Sequence, residues 1–144
     1  MKLEEIFDEW SKDSEIDRTE LGSESLRIAK LHVKYFRMFS EERLVLKKME
    51  TEHKVLYKNK CEWLNGTMDQ ETLKELGWKP NFLKIMKSEL QMYVDADQDI
   101  IKSNLRMSIQ QEKVSVLESI IKSLQGRSFN IRAAIDWEKF KTGM

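Results

Sequence analysis

The fold of this chain is decided by residues 21–63, which read LGSESLRIAKLHVKYFRMFSEERLVLKKMETEHKVLYKNKCEW. One set of positions in this stretch recurs at alternating intervals of four and three residues. That spacing averages about 3.5 residues, the period that keeps one stripe of an α-helix against a partner helix. We therefore predict one long helix over residues 19–65, and its stripe, which we call the seam, needs a neighbour to cover it. The seam consists of Leu21, Ser25, Ile28, His32, Tyr35, Phe39, Glu42, Leu46, Met49, His53, Leu56, Lys60 and Trp63.

Two shorter segments flank this long helix. Residues 1–15 place apolar and acidic side chains on opposite faces at helical spacing, which predicts a short amphipathic helix. At the other end, Asn65-Gly66 predicts a helix stop, because glycine readily adopts the left-handed conformation that closes a helix. We expect residues 66–81 to form a connector with one or two helical turns.

The second half of the chain repeats the helical pattern. Apolar residues recur at helical spacing over residues 82–125, which predicts a second long helix, antiparallel to the first and ended by Gly126. Residues 127–144 predict a separate amphipathic C-terminal segment. The predicted fold class is therefore all-α, with long antiparallel helices and short amphipathic helices at both ends. The chain has only one proline and five glycines, the residues that most often mark loops and linkers, so we expect a single helical domain over residues 1–144.

Charge is sorted along the chain, although 25 basic and 25 acidic residues balance overall. Residues 1–24 carry three basic and nine acidic residues, a local net charge of −6. Residues 47–60 carry five lysines and two glutamates, a local net charge of +3. Such asymmetry indicates an interaction surface.

The basic segment has a pattern that suits single-stranded nucleic acid. Lys47, Lys54 and Lys58 share one helix face, and Tyr57 lies beside them. In such sites lysines follow the phosphates while aromatic rings stack on the bases. The alternative is a face that is only solvated, since lysines near a helix C-terminus are also favoured by the helix dipole.

Patterns for catalysis, metals and membranes are missing from the sequence. It has no glycine-rich phosphate loop and no nucleophile with a base at a fixed spacing, so we expect no enzyme and no cofactor.

His32 and His53 are about 30 Å apart on a straight helix, too far to share a metal ion within one chain. The single Cys61 excludes an intrachain disulfide framework. No apolar run approaches the ~20 residues of a membrane span, and we expect a cytoplasmic protein.

Three aspartates at alternate positions are the strongest metal candidate. Asp95, Asp97 and Asp99 have the spacing of the first half of a calcium loop. Ile100 and Arg106 occupy the positions at which that loop requires glycine and glutamate. We therefore expect no metal site and interpret the aspartates as a solvated acidic face.

Four short segments, taken together, resemble a known family. They are MKLEE with IDRTEL at residues 1–5 and 16–21, HKVLYKNK at residues 53–60, and GRSFNIR at residues 126–132. In this order they resemble the UvsY family of recombination mediators from T4-like bacteriophages. The resemblance implies a protein that binds single-stranded DNA, displaces the phage single-strand-binding protein and loads a RecA-class recombinase of the UvsX type. It would act in homologous recombination and repair in the host bacterial cytoplasm.

The resemblance also implies an assembly and a DNA site. Family members form ring-like or barrel-like homo-oligomers of about six or seven chains, which would supply neighbours for the seam. The resemblance also implies that the C-terminal region, here residues 127–144, takes part in assembly. In the family a basic pair contributes to DNA binding, and here it falls on Lys58 and Lys60. The T4 protein has arginine as the second of these, and lysine keeps the charge but lacks the planar fork. The predicted DNA-binding residues are Lys47, Lys54, Tyr57, Lys58 and Lys60. The predicted oligomer interface comprises Ile28, His32, Tyr35, Phe39, Ile131, Ile135, Trp137 and Phe140.

One geometric problem and one rival function stay open at this point. Lys58 and Lys60 are about 200° apart around a helix, so they cannot both face one row of phosphates on a straight helix. The helix end could fray, one lysine could act across a subunit boundary, or only the face with Lys47, Lys54 and Lys58 contacts DNA. The rival function is a non-catalytic coiled-coil adaptor that binds only proteins, with the acidic N-terminal region as its contact.

Overall fold

Five α-helices make up the fold in the computed structural model, which describes residues 1–143. No strand occurs in these residues, and the predicted all-α fold class is confirmed. None of the helices described is both long and apolar enough to cross a membrane. The helices are α1 (Leu3–Asp13), α2 (Leu21–Asn65), α3 (Gln70–Leu76), α4 (Leu90–Asp95) and α5 (Gln98–Lys141).

The first long helix, α2, follows its prediction closely. It has 45 residues and ends at Asn65, where Gly66 turns the chain with φ +79°. Its start lies two residues after the predicted one, because Thr19 is engaged in a turn. There the Asp17 carboxylate accepts hydrogen bonds from both the backbone N–H and the hydroxyl of Thr19, at 2.9 and 2.6 Å.

The prediction for the second long helix was wrong at its start. Helix α5 begins at Gln98 rather than at residue 82, and the short α4 precedes it. The Asp97 carboxylate accepts hydrogen bonds from the N–H groups of Asp99 and Ile100 at 3.0 and 3.2 Å, which is the capping pattern of a new helix start. Residues 82–89 form no helix, and within them the Ile85 N–H donates to the Leu64 carbonyl at the end of α2, at 3.0 Å.

The predicted stop at Gly126 and the separate segment 127–144 were also wrong. Helix α5 continues through Gly126 to Lys141, while Met144 lies outside the described residues. Glycine in a helix interior costs only about 1 kcal/mol relative to alanine. Arg127 and Ile131, just beyond it, are buried to 7% and 2% exposure, so their packing outweighs that cost.

The helices are arranged in two compact units. The first comprises residues 1–45 together with the chain from Ile109 onward, and the second comprises Leu46–Ser108. Both long helices contribute residues to each unit. In the second unit Lys60 and His53 of α2 contact Asp99 and Ser103 of α5, so the two helices run antiparallel there, as predicted. That residues 1–144 form a single domain stays a prediction.

The first unit is built on an apolar core shared by α1, α2 and α5. The Trp10 ring packs edge-on against the Tyr35 ring, with 5.3 Å between centroids. Arg127 donates hydrogen bonds to the carbonyls of Asp13 and Ser14 at the end of α1, and Arg27 also donates to the Asp13 carbonyl. The buried core residues are Ile6, Leu31, Tyr35, Leu117, Ile120, Ile121 and Leu124.

A charged network closes one side of this core. The Lys34 ammonium lies 2.6 Å from both the Glu9 and the Asp13 carboxylates, and the Tyr35 hydroxyl donates to Asp13 at 2.8 Å. Burial alone would raise the pKa of Asp13, but the hydrogen bonds from Lys34 and Tyr35 outweigh it and hold that pKa below its ordinary value. The buried hydroxyl of Tyr35 therefore has its hydrogen-bonding partner.

Candidate nucleic-acid interface

The basic stripe on α2 lies in the second unit and is open to solvent. Lys47, Lys54 and Lys58 are all exposed, and helical geometry spreads them over roughly 16 Å of one face. The Lys58 side chain is 73% exposed, and its ammonium lies 3.8 Å from Glu62 one turn later. A surface pair of this kind holds its partners only weakly. The lysines of the stripe are therefore available to pair with an anionic ligand.

Tyr57 is less available than the lysines beside it. Its ring is half-buried and lies 6.4 Å from the His53 ring, which is tilted by 43° against it. His53 is held in turn by a 2.8 Å hydrogen bond between Nδ1 and the Ser103 hydroxyl. Burial, and then the charge of Asp95, raises the pKa of Tyr57. Only part of this ring could stack on a base.

Lys60 is in a different environment from the other predicted DNA-binding residues. Its side chain is only 7% exposed, and its ammonium lies 2.8 Å from Asp99 and 3.3 Å from Asp97. The ammonium also lies 4.3 Å from the centre of the Trp78 ring and 5.1 Å from that of Trp63. We call these five residues the Lys60 cluster. A buried charge is tolerated when it is paired in this way, and indole faces add further attraction.

The Lys60 cluster bears on the geometric question that the sequence left open. Lys60 points away from the stripe, and its ammonium already has two carboxylate partners. The helix does not fray at this point, since α2 continues to Asn65. Of the four predicted DNA-binding lysines, Lys47, Lys54 and Lys58 are exposed on one face, whereas Lys60 is enclosed.

The aspartates near residue 97 have structural roles that sequence reasoning missed. Asp97 caps α5 and pairs with Lys60, so the interpretation as a purely solvated acidic face was wrong for this residue. Hydrogen bonding to Lys60, and then its charge, lowers the pKa of Asp99. An aspartate immediately before a helical pattern was the available signal for the cap. No cluster of His, Cys, Asp or Glu suited to a metal ion occurs in residues 1–143.

The predicted oligomer-interface residues all lie in the first unit, but they differ in exposure. Tyr35 and Ile131 are buried within the chain itself, at 0% and 2%, so their side chains have no surface left for another copy. Trp137 and Phe140 are well exposed and stack on each other with ring centres 5.6 Å apart. The half-buried members are Ile28, His32, Phe39 and Ile135.

Sequence reasoning left three exposed apolar residues of α2 out of that interface. Leu26, Val33 and Phe36 follow one face of the helix at helical spacing and are 83%, 60% and 50% exposed. His32 stacks on Phe36 with the two rings 5.8 Å apart. A row of exposed apolar side chains on a helix marks an interaction surface. Their helical spacing marks them in the sequence as a second apolar stripe beside the seam, wide enough for a further neighbour.

The all-α fold and the exposed lysine stripe are typical of a helical nucleic-acid-binding protein. Residues 9–144 match the sequence family described as the recombination, repair and ssDNA binding protein UvsY. The chain belongs to the UvsY family.

Relatives from phage T4 agree in sequence and in fold. The recombination protein uvsY of Enterobacteria phage T4 is 23% identical over 143 residues, which covers 99% of both chains. A crystal structure of the bacteriophage T4 recombination mediator protein UvsY superposes with a TM-score of 0.85 at 22% identity, covering 99% of this chain and 98% of that one. A second crystal form gives a TM-score of 0.85 at 21% identity, covering 97% and 99%. At this identity the structural match establishes the shared fold.

Proposed function

We propose that this protein is a recombination mediator that binds single-stranded DNA through the lysine stripe of α2. The observation that carries the proposal is the family match over residues 9–144, in a chain that presents Lys47, Lys54 and Lys58 to solvent on one helix face. Their ammonium groups would neutralise phosphates, while Tyr57 offers part of a ring at the side. Contacts to phosphate carry no sequence information, so the binding would have little sequence preference.

The proposal includes a homo-oligomer, for which the resemblance to the family implies about six or seven chains. A single copy, with three lysines in its stripe, would make few phosphate contacts. Linking several copies makes each further contact intramolecular and raises avidity by about 10² or more when the strand reaches them all. The exposed apolar side chains of the first unit supply surface that neighbouring copies would cover. They include Leu26, Val33, Phe36, Trp137 and Phe140.

The mediator step needs two protein partners besides DNA. The protein would compete with the phage single-strand-binding protein for the strand and present the strand to a UvsX-type recombinase. The acidic N-terminal region, with a net charge of −6 over residues 1–24, is the surface on which we place these protein contacts. Charge of one sign on a surface steers association with a partner of the opposite sign.

A salt titration with matched variants tests the DNA-binding part of this proposal. The probe is a fluorescently labelled oligodeoxythymidine, and the measurement is its anisotropy as the salt concentration rises. Exchanging Lys47, Lys54 and Lys58 for Gln should lower the slope of log K against log salt by ~0.7 for each phosphate that is no longer neutralised. The control exchanges three exposed lysines of the first unit, Lys12, Lys30 and Lys122, which keeps the change in net charge equal.

Two results would contradict the proposal. If the stripe variant and the control bind equally weakly, the effect is one of net charge and the stripe is not the site. If the unaltered protein fails to bind the oligonucleotide even at low salt, the rival adaptor function is favoured. Release of the single-strand-binding protein from the same oligonucleotide, followed by recombinase loading, then tests the mediator step.

A further inference from the structure

A second basic surface lies between α3 and α4, outside every predicted site. Residues 79–87 read KPNFLKIMK and contain three lysines, and no acidic residue occurs between Leu76 and Ser88. All three lysines, Lys79, Lys84 and Lys87, are exposed. We call residues 79–87 the connector segment. It has a local net charge of +3, equal to that of residues 47–60, in fewer residues.

The connector segment also displays apolar side chains that a folded chain normally covers. Phe82 is 91% exposed, the highest value among the large apolar residues in positions 1–143, and Leu83 and Met86 are 76% and 70% exposed. Phe82 lies between Lys79 and Lys84 in the sequence. An exposed aromatic ring flanked by lysines combines the two interactions that single-stranded nucleic acid uses, stacking on a base and pairing with phosphates.

The backbone of this segment is held against the end of α2. The Trp63 indole N–H donates to the Lys79 carbonyl at 2.6 Å, and the Ile85 N–H donates to the Leu64 carbonyl at 3.0 Å. The Asn81 amide donates to the carbonyls of Leu64 and Leu83 at 3.2 and 2.7 Å. The bonds to Leu64 satisfy a carbonyl that the last turn of a helix leaves unpaired. The side chains are therefore presented from a fixed backbone.

The Lys60 cluster holds Trp78, the residue directly before this segment. Trp78 directly precedes Lys79, and its ring lies 4.3 Å from the Lys60 ammonium and 6.1 Å from the Trp63 ring. Asp97 and Asp99 hold that ammonium in place. Lys60 therefore connects the end of α2, the start of the connector segment and the start of α5.

We propose that the connector segment is a second contact surface for single-stranded DNA, and that Lys60 acts as its positioning residue. Lys79, Lys84 and Lys87 would pair with phosphates, and Phe82 would stack on a base. The inference rests on the proposed function and adds a site to it. The absence of acidic residues between Leu76 and Ser88 favours a polyanion over a protein surface of mixed charge.

Two variants test the surface directly by anisotropy with the labelled oligodeoxythymidine. Phe82→Ala should weaken binding roughly 5- to 100-fold, the range for removal of one stacked base. Exchange of Lys79, Lys84 and Lys87 for Gln should lower the salt slope by ~0.7 for each phosphate that is no longer neutralised. The controls are Leu105→Ala, an exposed apolar residue of the same unit, and the exchange of Lys12, Lys30 and Lys122 for Gln.

The positioning role of Lys60 makes a prediction opposite to that of simple electrostatics. Changing Asp97 and Asp99 to Asn removes two negative charges, which by charge alone should strengthen DNA binding. If the cluster positions the connector segment, this variant should instead weaken binding about as much as Phe82→Ala does. Asparagine can still cap α5, so the helix start is preserved. Lys60→Arg should retain binding, because a guanidinium can also pair with carboxylates and stack on indoles.

Photocrosslinking completes the test with the unaltered protein. An oligonucleotide that carries iododeoxyuridine should crosslink to the peptide around Phe82, identified by mass spectrometry. Crosslinks confined to α2, or unchanged affinity of both connector variants, would overturn the inference and leave the proposed function standing. A Phe82→Ala protein with a smaller oligomer mass and unchanged affinity per chain would identify a protein contact and overturn it too. If the unaltered protein binds no oligonucleotide, the proposed function itself fails.

Discussion

Each of the two units of this chain is stabilised internally by a different kind of contact. The first has seven buried apolar residues in one cluster, with the charged network of Lys34 and Asp13 at its side. In the second, the buried apolar residues are Leu46, Val94 and Ile100, and the remaining buried residue is the charged Lys60. Apolar burial is non-directional and stabilises a scaffold, whereas a paired charge depends on every partner staying in place.

This difference suggests that the two units have separate roles. Functional surfaces are commonly drawn from the less stable parts of a protein, because those parts can reorganise around a ligand. The proposed DNA contacts all lie in the second unit, and the proposed oligomer contacts lie in the first. An apolar core would thus support assembly, while a polar cluster would position the DNA-binding surface.

The largest expected effect is on the apolar core of the first unit. Leu117 is fully buried, so Leu117→Ala should lower the free energy of unfolding by about 2–5 kcal/mol, the range for such truncations. Urea unfolding followed by circular dichroism measures this decrease. A decrease no greater than that of Leu105→Ala, an exposed residue on the same helix, would break the comparison by showing that the core contributes little.

A smaller effect is expected from the Lys60 cluster of the second unit. Lys60→Met keeps the aliphatic stem but leaves Asp97 and Asp99 without their cation. Removing one partner of a fully buried pair costs about 3–5 kcal/mol, and here we expect about 2 kcal/mol because the Asp99 side chain is 53% exposed. Urea unfolding followed by tryptophan fluorescence, to which Trp63 and Trp78 contribute together with Trp10 and Trp137, measures this decrease. Unchanged stability would show that the cluster is dispensable.

Acid should remove the difference in unfolding free energy between the unaltered protein and Lys60→Met. Lys60 lowers the pKa of Asp99, so this contribution is fully present above the ordinary value of 3.8 and is lost as the pH falls through the lowered pKa. The two proteins should therefore differ in unfolding free energy at neutral pH and converge well below pH 3.8. A gap that persists in acid would mean that Lys60 stabilises through its packing rather than through its charge.

The smallest effect, and the only stabilising one, concerns Gly126. It lies in a helical conformation inside α5, and a Cβ added there would meet no atom within 4 Å. Gly126→Ala should raise the unfolding free energy of the first unit by about 0.5–1 kcal/mol, since alanine loses less backbone entropy. Gly66→Ala is the matched contrast, because Gly66 has φ +79° and its Cβ would lie 3.1 Å from Lys84. Lower stability in Gly126→Ala would mean that α5 is interrupted there.

The periodicity of the sequence was a reliable guide to which residues face inward. Every seam position from Leu21 to Trp63 except Ser25 is buried or half-buried. The partner was harder to infer. The apolar core of the first unit packs this helix against α1 and α5 of the same chain. The sequence had predicted an antiparallel second helix, but the covering of the seam was assigned to neighbouring copies. A repeat specifies the face of a helix but carries no information about which helix covers it.

The sequence by itself determined the all-α class, the end of α2 at Asn65 and the exposed lysine stripe, because these follow from local periodicity, backbone conformation and helical spacing. Only the tertiary structure decided where α5 begins, why it passes through Gly126, and that Lys60 is enclosed by Asp97, Asp99 and two indoles. Those outcomes depend on residues far apart in the chain. Their pairing energies outweigh local preferences only once folding has brought them together.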